Sequence, residues 1–347
     1  MKCQVKVDEI TKDISNQFDY EFNGEIEFKE HDFQLPKDFS IGLIVGNSGS
    51  GKSTIIKSIG GENKPIWDNS KAICSHFESA KEAADKFSAS GLGSVPDWVK
   101  PYNILSNGEK FRADMARMIK DGARIDEFTS VVDRDVAKSC SVSLSRYIKK
   151  NNIKNVVIAS CHRDIEVWLQ PDWVFDCDLG MFIERRSERR PEIKIELLPC
   201  SSKAWTLFSK HHYLDGNINK SSRCWVAFWE EKPVGFASTI AYPSGTVKNA
   251  WREHRTVVLP EFQGLGIGVR ISDAVGHIMT TSGYRYFSKT SHPRMGEYRE
   301  KSNEWKPTSK NRKARKDYSV DRKTKEDGHK MKHVNRVCYS HEYIGGK

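Results

Sequence analysis

The sequence predicts two consecutive α/β domains, on three observations. An apolar strand over 40–45 enters a glycine-rich loop, and a helical pattern over 52–59 leaves it, closed by Gly60 and Gly61. The same order recurs in the second half. A strand over 254–259 meets a second glycine-rich loop at 263–268. A helix follows with Ile271, Ala274, Val275 and Ile278 on one face, and Gly283 lies beyond its end. Between the two units lies the charge run 184–192, after an apolar, aromatic segment (168–182) and before a fresh strand pattern at Ile193. The expected division is a first domain over 1–190, a second over 191–295 and a basic extension over 296–347.

Bulk properties support this division. A chain of 347 residues, 37% hydrophobic and 29% charged, is long enough for two globular cores. No apolar run approaches the roughly 18 residues of a membrane span, and the N-terminus has no apolar signal core. The expectation is a cytoplasmic protein without membrane contact. Eight cysteines are scattered without a CxxC pair, so reduced thiols are expected rather than disulfides or zinc. Charge is asymmetric: residues 1–190 carry net −2, residues 191–347 net +12, and 281–347 alone net +10. Such a basic end suits an anionic partner, nucleic acid or a phosphate-rich cofactor. A solvated tail satisfies the same composition.

The first loop, from Gly46 through Asn47, Ser48, Gly49, Ser50, Gly51, Lys52, Ser53 and Thr54, satisfies GxxxxGK[ST] between a strand and a helix. Its glycines let backbone N–H groups close around phosphate, and the helix start adds partial positive charge. Lys52 is expected at the β- and γ-phosphates of ATP, and Ser53 at Mg²⁺. Downstream, Asp126 and Glu127 form an acidic pair. Asp126 would hold Mg²⁺ through water, and Glu127 would polarise the attacking water.

Between these motifs lies Leu105-Ser-Asn-Gly-Glu-Lys110, opening an amphipathic helix with Phe111, Met115, Met118 and Ile119 on one face. Ser130-Val-Val-Asp133 follows, then the strand 156–160 and His162. In this order the motifs resemble those of ABC ATPases: phosphate loop, signature, catalytic acid, D-loop and switch histidine. The resemblance implies ATP sandwiched in a head-to-tail homodimer, or against a partner, with Ser106 and Gly108 acting in trans and His162 at the γ-phosphate. It also implies an aromatic stacked on adenine, for which Tyr20 stands ahead of Phe22 and Phe18. The chain departs from the family in three ways. No glutamine lies between Gln34 and Gln170, so the Q-loop residue is missing. Only 54 positions separate Lys52 from Ser106, which implies a reduced helical subdomain. The segment before Asp126 (120–125) is polar where the family has an apolar strand. ATP binding is therefore expected ahead of fast hydrolysis, and a complete transporter is not expected.

The second half opens with a hairpin pattern, 224–229 and 234–240 around a turn. The loop Gln263-Gly264-Leu-Gly266-Ile-Gly268 then resembles the CoA-binding motif of GNAT acyltransferases. A literal GxG also invites a dinucleotide-binding reading, but no βαβ unit with a later ribose-binding acid follows. The GNAT resemblance implies that the amides of 263–268 hold the pyrophosphate of acetyl-CoA or another acyl-CoA. The backbone N–H near Val258 would polarise the thioester carbonyl. The acid and base are not fixed by the motif. Candidates are His292, just past a strand over 285–289, Tyr298, Glu253 and His254; the stretch 210–213, closing the first helix, ranks below His292.

An ABC-type ATPase joined to an acyltransferase is an arrangement of bacteria and phages, and the chain resembles it along most of its length. The expected setting is a bacterial or phage-infected cytosol. The expected function is an ATPase fused to an N-acyltransferase, with nucleic acid or a nucleic-acid-associated protein as acceptor. Two alternatives stand. The GNAT half, with its His-Pro and basic tail, also loosely resembles phage Mom-type proteins, which would make a DNA base the acceptor. Alternatively, the GNAT fold serves as a non-catalytic binding module on a nucleic-acid-associated ATPase.

Overall fold

The computed structural model describes residues 2–27, 31–62, 64–183, 189–212, 216–243, 245, 247–316 and 335–345. Two compact units divide the chain, Met1–Pro191 and Glu192–Lys347.

In the first unit, β1 (Lys2–Gln4) pairs antiparallel with β2 (Glu25–Glu27), and α1 (Glu9–Gln17) lies between them in sequence. The main sheet holds β3 (Ile41–Val45), β4 (Arg124–Ile125), β5 (Val156–Ser160), β6 (Trp173–Asp176) and β7 (Met181–Ile183), in the order β4-β5-β3-β6-β7. All neighbours are parallel except β6 and β7. β3 and β5 are buried at every residue, which explains their unbroken apolar sequences. The helices are α2 (Lys52–Ser58), α3 (Ala80–Ala89), α4 (Val95–Trp98), α5 (Asn107–Met118), α6 (Arg134–Lys150) and α7 (Glu166–Leu169). Phe111 and Met115 of α5 and Cys140 and Leu144 of α6 pack with Ile41, Leu43 and Val45. Ile55 and Ile56 of α2 pack with Ile44, Val157 and Phe175. Gly42 lets Trp173 cross the sheet, since a Cβ there would sit 1.9 Å from the indole. The polar stretch 120–125 yields only the two-residue β4. A small helical layer, built on Ile73, Ala83, Phe87, Leu92 and Leu105, fills the span between the phosphate loop and α5.

The second unit holds β8 (Glu196–Cys200), β9 (Arg223–Trp229), β10 (Lys232–Ala241), β11 (Ala250–Val258), β12 (Arg285–Thr290), β13 (Trp305–Pro307), β14 (Lys313–Lys316) and β15 (Asn335–Tyr343), with α8 (Ile267–Thr281) and α9 (Pro293–Lys301). The order is β13-β15-β12-β11-β10-β9-β8, with β14 also on β15. Among the described residues, only β11 and β12 run parallel, and they pair through Ala250–Arg252 and Arg285–Phe287. Beyond that, their C-terminal ends leave the ladder. Before β9, the expected first helix is two 3-10 turns, Ser202–Leu207 and Ser209–His211; Tyr213 lies outside the described residues.

The described residues of the expected basic extension, 296–316 and 335–345, group with the second unit. β15 covers the outer edge of β12 over Tyr286–Thr290. Tyr343 packs on Gly276 and Tyr339 on Gly296, where a Cβ would meet the rings at 2.6 and 2.1 Å. Without β15, β12 would present an unpaired edge and α8 an uncovered face. The charged stretch 317–334 lies outside the described residues. Among the described residues, no helix is long and apolar enough to cross a membrane.

Candidate functional site

The phosphate loop bends through Gly49 (φ 81°) and Gly51 (φ 97°), left-handed conformations that favour glycine. Gly51 caps α2 without a side-chain bond, so the first N–H groups of the helix lack side-chain acceptors there. A cavity of about 530 Å³ opens on the loop, lined by Asn47, Gly49, Ser50, Gly51, Lys52, Ser53, Thr54, Cys177 and Asp178. Lys52 Nζ donates to the Gly46 and Asn47 carbonyls at 2.8 and 2.6 Å. His31 Nε2 lies 2.7 Å from the Ser50 carbonyl. The Asn47 N–H is engaged by Asp178, a contact that no local sequence pattern marks.

Asp126 and Glu127 end β4, one strand away from β3, and neither lines this cavity. Glu62 accepts from the Asp126 N–H at 3.1 Å, and Asp126 accepts from the Glu127 N–H at 2.9 Å. Glu127 is exposed in a left-handed turn (φ 49°). His162 leaves the end of β5 with Nδ1 2.9 Å from Thr129 Oγ1, and burial, helped by the Arg134 charge, lowers its pKa. Ser106 caps α5 in a capping box: its hydroxyl accepts from the Glu109 N–H, and Glu109 accepts from the Ser106 N–H at 2.7 Å. Gly108 follows in the first turn, with space around it. Asp133 caps α6. Tyr20 is 66% exposed and does not line the cavity, so the structure does not bring it to the loop.

In the second unit, β11 feeds the loop 259–266. Gly264 (φ 85°) and Gly266 (φ 84°) are left-handed, and Gly266 caps α8. Gln263 Nε2 donates to the Val258 carbonyl at 3.0 Å, tying the loop to the end of β11, while Gln263 Oε1 is buried without a partner. A Cβ on Gly268 would stand 3.4 Å from Val258 and 3.8 Å from Met295, so the starts of α8 and α9 converge on the end of β11. His292 caps α9. Its N–H donates to Thr290 Oγ1 at 3.0 Å, and its Nδ1 is buried without a partner. Burial, then the Arg294 charge, lowers its pKa. β11 bulges at His254, which falls between the residues opposite Ser238 and Thr239. Burial and the Arg255 and Arg252 charges push His254 down to about 4.

Two other acid/base candidates are committed elsewhere. The Tyr298 hydroxyl donates to Asp273 at 2.5 Å, and burial with that bond pushes it up to about 12; it braces α9 against α8. Glu253 accepts from Arg299 at 2.8 Å, from Thr256 at 2.7 Å and from Ser288. Burial would raise its pKa, but the Arg299 charge and these bonds outweigh it and hold the carboxyl low.

Comparisons with known proteins bear on the second unit first. Residues 190–299 match the acetyltransferase (GNAT) family model. No curated protein matches the chain. Among solved structures, an Elizabethkingia anophelis GNAT acetyltransferase with acetyl-CoA bound is 14% identical, with TM-score 0.30 over 43% of this chain and 97% of its own. A Bacillus subtilis acetyltransferase in complex with CoA is 12% identical, with TM-score 0.32 over 45% of this chain and 100% of its own. A dimeric ATP-binding cassette bound to ADP and Pi is 17% identical, with TM-score 0.33 over 48% of this chain and 89% of its own.

Proposed function

We propose that the chain joins an ATP-binding unit of ABC type to an acyl-CoA-dependent N-acetyltransferase. One observation carries the transferase reading. The GNAT-family segment has left-handed glycines at 264 and 266 between the free end of β11 and the start of α8. Backbone N–H groups in such a turn suit a pyrophosphate. Gln263, Gly264, Gly266 and Gly268 would hold the CoA diphosphate of acetyl-CoA or another acyl-CoA. The Val258 N–H would polarise the thioester carbonyl where β11 parts from β12. His292, neutral at pH 7 and with Nδ1 unpaired, would take the proton as the acceptor amine attacks. The oxyanion of the tetrahedral intermediate collapses, and the CoA thiolate leaves and is protonated.

The first unit would bind ATP through the amides of 47–54 and Lys52. Mg²⁺ would be held by Ser53, the phosphates and, through water, Asp126; the Ser53 lining of the cavity fits this role. Glu127, and Ser106 and Gly108 from a second copy, would complete a hydrolytic site in a homodimer, with His162 at the γ-phosphate. The net +10 of residues 281–347 supports nucleic acid, or a protein bound to it, as acceptor, in a bacterial or phage-infected cytosol.

Radiolabelled acetyl-CoA, offered with DNA, RNA and protein fractions with and without ATP, tests the reading. Label should pass to one fraction. A label confined to DNA bases would select the Mom-like alternative. A Gly266→Trp variant should lose the thermal stabilisation that acetyl-CoA gives the wild type. If acetyl-CoA stabilises neither protein, the second unit is a binding module and the transferase reading fails.

A further inference from the structure

The Asn47 peptide in the phosphate loop is held from both sides. Its N–H faces both oxygens of Asp178, at 3.2 and 3.1 Å. Its carbonyl accepts from Lys52 Nζ at 2.6 Å and from the Ser50 N–H at 3.2 Å. Asp178 follows β6, 131 residues further on, and lines the same cavity as the loop. Arg163, the neighbour of His162, donates to Asp178 at 2.6 Å and also to Asp176. The Asp178 and Leu179 N–H groups both donate to Asp176 Oδ1, so this turn is built rather than loose.

A carboxylate and a phosphate offer the same chemistry to an N–H group: an anionic oxygen that accepts. They cannot share one donor, and two anions at van der Waals distance repel unless a cation lies between them. The carboxylate therefore stands where a loop-bound phosphate oxygen would be received. Lys52, which lines the same cavity, has its ammonium turned onto the loop's own carbonyls.

Building on the ATP reading above, we propose that Asp178 is a latch on the phosphate loop. It holds the Asn47 N–H until the polyphosphate of an incoming nucleoside triphosphate displaces it, and Arg163 keeps its charge paired throughout. The displaced carboxylate draws on Arg163, which sits at the end of β5 beside His162. Phosphate arrival is thereby communicated to the segment that carries the switch histidine. A site that is competent only part of the time binds more weakly by that fraction.

Titration of the full chain with a fluorescent ATP analogue plus Mg²⁺, and with inorganic pyrophosphate, tests this, with Lys52→Ala as the control for site occupancy. Asp178→Ala should bind the analogue roughly tenfold more tightly than wild type, as expected for a latch closed about nine-tenths of the time. Asp178→Asn keeps an acceptor without the charge and should fall between them; it carries the test if the alanine variant does not fold. Lys52-dependent binding that is equal or weaker in both Asp178 variants would overturn the latch and leave the nucleotide site standing. If neither the wild type nor the variants bind either ligand, latch and ATP reading fall together.

Discussion

Glu253 on β11 and Arg299 on α9 form a buried ion pair at 2.8 Å, with side chains 11% and 1% exposed. Arg299 also donates to Ser272 of α8 at 2.7 Å and lies over the Trp305 ring at 4.5 Å. This single guanidinium joins β11, α8, α9 and β13 beneath the parted strands.

Removing one partner strands a buried charge. Glu253→Gln or Arg299→Met should therefore cost about 3–5 kcal/mol, measured by urea unfolding. The double variant Glu253→Leu/Arg299→Met should recover most of that loss. The Glu253 carboxyl is held below its ordinary value, so the unfolded chain binds more protons than the folded one. Its contribution is fully present above the unfolded pKa and disappears as pH falls through the folded one. Wild-type stability should drop between about pH 5 and the acid limit, and the double variant should lose that part of the slope.

The loop glycines separate folding from ligand binding. Gly268→Ala meets Val258 at 3.4 Å, ordinary contact, so its melting temperature should stay within a few degrees while acetyl-CoA stabilisation falls. Gly266→Ala must adopt φ 84° and should cost about 1 kcal/mol even without ligand.

His292 yields a kinetic prediction. Its base form dominates at neutral pH because its pKa lies below the ordinary 6.5. The acid limb of kcat/KM should therefore fall with decreasing pH, with its midpoint under 6.5. His292→Gln should lower kcat by roughly a hundredfold or more and abolish that limb. Tyr298→Phe should leave the pH profile in place and act on stability alone.

Ser106 caps α5 and is also the residue proposed to act in trans on bound ATP. Ser106→Ala should cost about 1 kcal/mol from the lost cap. If a second copy supplies this residue to bound ATP, hydrolysis should fall more than stability does. A Ser106→Thr variant, which keeps the cap, should restore the melting temperature.

What the sequence revealed follows from what is local. The loops at 46–54 and 263–268 each lie between adjacent elements, so neighbouring residues suffice to show strand, turn and helix. Asp178 meets Asn47 across 131 positions, and no local pattern marks that meeting. Arg299 sits in a charged, weakly amphipathic helix; only its partners on four other elements make a buried arginine tolerable. β15 reads NRVCYSHEY, without the polar–apolar alternation that marks a strand, so composition pointed to a tail where long-range pairing with β12 makes a strand.

That pairing decides how the protein can be dissected. A deletion chosen to strip the lysine-rich end and isolate a minimal transferase would take away Tyr339, His341 and Tyr343, which fill the interior beside α8 and α9. Trimming should instead excise 317–334 internally and reconnect β14 to β15 by a short turn, which keeps β15 and removes only net +1 of the +10 carried by 281–347.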